Sequence, residues 1–260
     1  MLHGIYIIDA DNTLWDTHGV YLEAYRRMVQ ALQEAGYAFA EDFGSVYLSI
    51  RTADRTIART LHDYEYDFTL LALALVHHAG GSEPEEAARR ALSAPRAGRE
   101  WRAASLAASR FYAYHDSTPP ALFEHAGETL AALKHLGNVL ILHSEGQPER
   151  VRQTLAVHGL TDFFHDLVLE YKSPASFARA RAIGREFYRW IADIPPRDCV
   201  VVGDSPQRDI LFGNLIGAHT IMKPGGFWGG DIPEDPLQQP EYLVTHLGEI
   251  LSLKDRRRAG

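Results

Sequence analysis

Asp9-Ala10-Asp11-Asn12-Thr13 follows directly on the apolar run Ile5-Tyr6-Ile7-Ile8, and at that junction the chain is richest in groups that could do chemistry. Two further apolar runs also end on groups that handle phosphate. Val139-Leu140-Ile141-Leu142 leads to Ser144, and Cys199-Val200-Val201-Val202 runs into Gly203-Asp204. Residues i and i+2 of a strand point the same way, so Asp9 and Asp11 can face one ligand. Ligands of an open parallel sheet bind outside the carboxyl ends of its strands, near the point where strand order reverses. If the runs are neighbouring parallel strands, Asp9, Asp11, Ser144 and Asp204 meet at one edge. Carboxylates gathered in one pocket repel each other, and such a cluster is tolerable only with a cation or a shared proton. Lys172, after the short strand expected over Leu167 to Glu170, and Asp209, which opens the helix after Asp204, belong to the same edge.

The elements that must position these groups alternate strand and helix at both ends of the chain. Helices are expected over Ala126–Leu136, Pro148–His158, Pro174–Ile191 and Asp209–Gly217, with Ala218–Met222 as a fifth strand. Strands separated by helices of this length pair in parallel through right-handed crossovers. The fold class is therefore α/β, a doubly wound parallel core of five strands. Between the first strand and its crossover the sequence reads as helix only. Tyr21, Tyr25, Met28 and Leu32 keep helical spacing, Ser82-Glu83-Pro84-Glu85 has the capping-box pattern, and Arg99 to Tyr114 is helical until Thr118-Pro119-Pro120. The division expected is a Rossmann-like core of 1–16 and 120–260 with an α-helical insertion of 17–119.

Several other chemistries fail on residue identity. Asp9-x-Asp11-Asn12 opens like a calcium EF-hand loop, but the sixth and twelfth positions, which need Gly and Glu, are Leu14 and Val20. A nucleophile elbow at Ser144 lacks its leading glycine, which is Leu142 here, so a hydroxyl donor fits better than a nucleophile. There is no Walker loop, and Gly225 to Gly230 does not match a dinucleotide fingerprint and reads as an irregular turn. Arg51, Arg55 and Arg59 fall on one helical face and read as solvated surface; His143 reads as structural, and none of the 13 histidines has a convincing ligand spacing.

The net charge of −8 argues against a general nucleic-acid binder, and Arg256-Arg257-Arg258 reads as a solvated tail. The single Cys199 leaves no disulfide framework or thiolate zinc site and reads as a small buried hydrophobe. No stretch approaches the roughly 18 apolar residues that span a bilayer, and the N-terminus begins with a strand rather than a leader, so a cytoplasmic protein is expected. Nothing in the sequence sets an oligomeric state.

Asp9-x-Asp11-x-Thr13, Ser144 after an apolar strand, Lys172, and Gly203-Asp204-Ser205-x3-Asp209 come in one order, with a large helical insertion after the first. In this the chain resembles the haloacid dehalogenase-like (HAD) hydrolase superfamily, in its phosphatase branch with a helical cap. The resemblance implies that Asp9 is the nucleophile, forming an aspartyl-phosphate, and that Asp11 is the general acid and base. It implies Mg²⁺ held by Asp9, the backbone carbonyl of Asp11, and Asp204, with Asp209 in the outer shell. Ser144 and Lys172 would bind the transferring phosphoryl oxygens. Dehalogenating members lack an acid at the position of Asp11, so the resemblance favours an oxygen leaving group. The implied partner is a small phosphorylated metabolite of the phosphoglycolate, sugar phosphate or nucleoside monophosphate type. A phosphomutase of the same superfamily, or a non-catalytic Mg²⁺- and phosphate-binding regulator, are the alternatives.

Overall fold

A strand buried on both faces must be apolar throughout, and β1 (Ile5–Ile8) is: all four of its residues are buried. The computed structural model describes residues 2–39, 42–62, 66–191, 199–226 and 233–253. Within them β1 lies between β2 (Val139–Ser144) and β4 (Cys199–Gly203). Ile8 is level with Leu142 on one side and Val202 on the other, so the residues just beyond these positions leave the sheet at one edge. β3 (Asp166–Leu169) pairs with β2, and β5 (His219–Met222) with β4, all in parallel. With β6 (Tyr242–Leu243) at the far end, strand order is β3-β2-β1-β4-β5-β6, which reverses direction beside β1. This is a doubly wound α/β sheet, the architecture expected, but it has six strands where five were expected. The sixth, β6, pairs only through two residues with Ile221 and Met222, too few to show any alternation.

Side chains alternate between two cores, as a period of two requires. Tyr6, Ile8, Leu140, Leu142, Val200 and Val202 pack on one face with Leu130, Leu133 and Leu155 of α6 (Ala126–His135) and α7 (Pro148–Val157). Ile5, Ile7, Val139, Ile141, Cys199 and Val201 pack on the other with Phe177, Ala180 and Tyr188 of α8 (Pro174–Ile191). Each fully buried aliphatic side chain is worth about 1.5–3 kcal/mol against exposure, so these strands are firmly held. At Gly184 an added Cβ would lie 2.3 Å from Ile5, so glycine there lets α8 lie close on β1. Cys199 is buried, as expected.

The chain divides into two compact units, Met1–Gly19 with Pro120–Gly260, and Val20–Pro119. The second is built from most of α1 (Thr17–Glu34), with α2 (Phe43–Leu61), α3 (Phe68–Ala79), α4 (Pro84–Ser93) and α5 (Gly98–Ser117). Every residue from Thr69 to Val76 of α3 is buried, which explains an apolar run too short to be a membrane span. Met28, Leu32, Ile50, Ile57 and Phe111 share its buried core. The capping box expected at Ser82 does not form: the cap position is Glu83, without a side-chain bond, and Ser82 Oγ instead accepts from Arg90. Of the arginines on α2, Arg55 and Arg59 are exposed and Arg51 is half-buried. Residues 227–230 of the glycine-rich stretch and Arg256–Arg258 lie outside the described residues. Among the described residues no helix is long and apolar enough to cross a membrane.

Candidate active site

The carboxyl ends of β1, β2 and β4 deliver Asp9, Ser144 and Asp204, and the loop after β3 delivers Lys172; all four are buried. Asp9 continues the ladder of β1, its N–H donating to the Val202 carbonyl at 2.9 Å. Its Oδ2 accepts from Thr13 Oγ1 at 2.9 Å and its Oδ1 from Lys172 Nζ at 2.5 Å. Lys172 also reaches Asp209 Oδ1 at 2.8 Å, so one ammonium is shared by two carboxylates. Asp209 is itself fully buried because β4 ends in glycine: a Cβ on Gly203 would sit 2.2 Å from the Asp209 carboxyl carbon. Its Oδ2 accepts from the Ser205 N–H at 3.1 Å, closing the turn that leaves β4. That turn is a single π-helical stretch, Pro206–Ile210, followed by the short α9 (Leu211–Leu215), rather than the continuous helix over Asp209–Gly217 that the sequence predicts. Such π-turns recur at functional sites.

Asp11 stands half-buried beyond the strand. Its Oδ1 accepts from Trp15 Nε1 at 3.0 Å and from the Thr17 hydroxyl, while Oδ2 lies 3.5 Å from Ser144 Oγ. Ser144 Oγ accepts from the Gly146 N–H at 3.0 Å, and a Cβ on Gly146 would come within 2.9 Å of Asp11 Oδ2. Gly146 is thus a close-approach position rather than part of a nucleophile elbow. All six residues singled out from the sequence, Asp9, Asp11, Ser144, Lys172, Asp204 and Asp209, therefore meet at one edge of the sheet.

The electrostatics are those of a site prepared for a cation. Burial, and then repulsion from Asp209 and Asp11 working against Lys172, pushes Asp9 up to about 7. Burial and repulsion from Asp9 and Asp209 hold Asp204 well above the usual carboxylate range. Burial would lower Lys172, but Asp209 and Asp9 outweigh it and keep the ammonium charged. Asp204 Oδ2 is buried with no hydrogen-bond partner, and oxygens of Asp9, Asp204 and Asp209 lie within 4.8 Å of one another. A buried acceptor with nothing to accept from, inside an all-oxygen donor set, fits a hard divalent cation.

Sequence reasoning missed several supporting residues. Glu145 Oε1 accepts from the Lys172 N–H at 2.7 Å and its other oxygen pairs with Arg208. Trp15 and Thr17 orient Asp11. Lys223 closes the edge beyond β5 and is also buried. None belongs to a compact pattern, since each acts through a contact remote in sequence or through a residue type with many other uses.

His143 sits beside Ser144 but faces away from it, its ring edge-on to Phe177 with centroids 4.4 Å apart. Both ring nitrogens are buried without partners, and burial, then Lys172 and Arg179, lower it to about 3. The folded state therefore holds His143 neutral where the unfolded chain, titrating near 6.5, binds a proton. Stability from this group is complete above that value and falls as pH drops from about 6.5 toward about 3. Between pH 7 and 5 it should cost about 2 kcal/mol. Denaturant titrations of wild type and His143→Met should show the wild type losing that much stability relative to the variant between the two pH values, since other titrating groups contribute to both; equal pH slopes in the two proteins would remove His143 as the source.

A family model for haloacid dehalogenase-like hydrolases matches residues 4–217. A glyceraldehyde 3-phosphate phosphatase of Methanopyrus kandleri is 23% identical over 256 residues, 95% of either chain. A phosphoserine phosphatase of Thermus thermophilus is 26% identical over 129 residues, 50% of this chain and 49% of its own. Among solved structures, the HAD-hydrolase YfnB of Bacillus subtilis bound to magnesium superposes with a TM-score of 0.59 at 16% identity, over 97% of this chain and 98% of its own. A dehalogenase has a TM-score of 0.57 at 19% identity, over 97% of either chain, so the fold alone does not choose the leaving group. The family match over residues 4–217 supplies what the fold alone leaves open: the chain belongs to the haloacid dehalogenase-like hydrolases.

Proposed function

We propose that this enzyme is a Mg²⁺-dependent phosphatase that hydrolyses a small phosphorylated metabolite through an aspartyl-phosphate on Asp9. The observation that carries the reading is the pairing of Asp9 with Lys172 beside Asp11 and Ser144 at one buried edge. Phosphoryl transfer needs a placed nucleophile, cationic groups against the phosphoryl oxygens and a proton for the leaving oxygen. Asp9 Oδ1 or Oδ2 attacks phosphorus as the ester oxygen departs with a proton from Asp11. Asp11, now a carboxylate, takes a proton from the water that attacks the phosphorus of the aspartyl-phosphate, which releases phosphate and restores Asp9. Lys172 and Ser144 donate to the transferring oxygens. Asp9, Asp204 and the backbone carbonyl of Asp11 would hold Mg²⁺, with Asp209 behind them. Bound there, the ion neutralises charge on the phosphoryl group and on the carboxylates. The unit of residues 20–119 is assigned the role of a cap that recognises the leaving group, and the enzyme is assigned to the cytoplasm.

The test is inorganic phosphate release from a panel of esters, with and without Mg²⁺. Glyceraldehyde 3-phosphate and phosphoserine, after the relatives' names, lead the panel, with phosphoglycolate, sugar phosphates and nucleoside monophosphates behind them. Release concentrated on one or two compounds and dependent on Mg²⁺ is expected. Transfer to a second acceptor without release of phosphate would instead indicate a mutase.

Stability should report the metal independently. Without a cation the folded protein holds a proton near Asp9 that the unfolded chain has already lost. The Asp9 contribution to metal-free stability should therefore fall as pH rises from about 3.8 to about 7. A divalent ion replaces that proton, so the increase in Tm on adding Mg²⁺ should be larger at pH 8 than at pH 5. A thermal shift equal at both, or kept in Asp204→Asn, would contradict the proposed ligand set.

A further inference from the structure

Asn12, between the two site aspartates, has φ 61°, a left-handed conformation that costs a non-glycine residue energy and persists only where surroundings impose it. Four contacts impose it. Its N–H donates to the Trp15 carbonyl at 2.8 Å, and its Oδ1 accepts from the His18 N–H at 2.8 Å. Its carbonyl accepts from Lys223 Nζ at 3.1 Å, across 211 positions of sequence. Against its side chain lies Gly226, itself at φ +59°, where a Cβ would fall 2.2 Å from Asn12 Cγ.

The Lys223 ammonium is buried, and it also lies over the Phe123 ring, 3.5 Å from the centroid. Phe123 is tied to the same loop, its N–H donating to the Leu14 carbonyl at 2.9 Å. The Lys223 backbone is anchored in turn, its N–H donating to the Gly203 carbonyl at 3.0 Å, next to Asp204. One side chain thus ties the end of β5 to the loop that carries Asp11 and to the segment that re-enters the core at Phe123. One glycine of the glycine-rich stretch acquires a purpose here: at Gly226 an added Cβ would collide with Asn12.

We propose that Lys223 is a positioning residue: together with Gly226 it braces Asn12, and so fixes the Asp9–Asp11 loop for proton transfer by Asp11. The proposal rests on the reading of Asp11 as the acid. The brace acts on the step in which Asp11 gives its proton to the leaving oxygen, where a displacement of about 1 Å can cost on the order of 10²-fold.

The experiment compares the full-length wild type, Lys223→Met and Gly226→Ala, which disturb Asn12 from opposite sides. Hydrogen exchange of the peptide over residues 10–17 should quicken about tenfold in both variants, with strand peptides unchanged. In kcat/KM, which reports the first transfer and not the shared hydrolysis of the aspartyl-phosphate, an alkyl phosphate should fall roughly 10- to 10²-fold, and p-nitrophenyl phosphate, whose leaving group needs little protonation, should fall much less. Unchanged exchange over 10–17 in both variants would overturn the brace. So would tighter Mg²⁺ binding by Lys223→Met with equal loss on both esters, the mark of a residue that only balances charge at the metal. If Lys223→Met fails to fold, Gly226→Ala puts the same question to Asn12. Asp11→Asn is measured on the same two esters. If its kcat/KM shows no preference between them, the acid assignment fails, while the exchange data still decide the brace.

Discussion

Asp9→Asn should reduce phosphate release by at least about 10⁴-fold while leaving the fold intact. The amide is almost isosteric, still accepts from Thr13, and fills the same buried space at the end of β1. It lacks the anionic oxygen that attacks phosphorus. Lys172 is not stranded by the change, because its second partner, Asp209, remains at 2.8 Å. The variant also loses one of the mutually repelling carboxylates, so its metal-free Tm should not drop. Phosphate release together with circular dichroism checks both halves. Substantial turnover by the folded variant would remove Asp9 as nucleophile.

Asp11→Asn should slow hydrolysis of an ester with a poor leaving group by roughly 10²–10⁴-fold, the usual worth of general acid–base help. An amide can still accept from Trp15 and Thr17, so the loop should keep its geometry. It cannot give the departing oxygen a proton or take one from water. With an activated aryl ester the first loss disappears and only the second, in the hydrolysis of the aspartyl-phosphate, remains. Phosphorylated enzyme should therefore accumulate in this variant. An unchanged rate on an alkyl phosphate would end the acid assignment.

The legible part of this site lies in short-range chemistry. β1, β2 and β4 are buried on both faces and so read as apolar runs, and each run is followed within two residues by its functional group. Parallel pairing then followed from the helices between them, which is why Asp9, Ser144 and Asp204 could be brought together without coordinates. The sheet's sixth strand escaped because two residues carry no period. The winding of the turn after Asp204 is not legible in the sequence because side-chain bonds decide it, the Ser205 N–H donating to Asp209 within the turn and Lys172 pairing with Asp209 from a remote loop. Lys223 escaped because a lone lysine after a strand usually means a solvated charge. Its burial depends on Asn12, Phe123 and Gly203, from three other segments.

Passage of phosphate through Asp9 is decided by acid-quenching the enzyme during turnover of a radiolabelled ester in Mg²⁺ and digesting it. Label is expected on the peptide containing Asp9, stable in acid, released by hydroxylamine as an acyl phosphate must be, enriched in Asp11→Asn and absent from Asp9→Asn. Steady phosphate release with no labelled protein at any quench time in Asp11→Asn, or label on another residue, would contradict it.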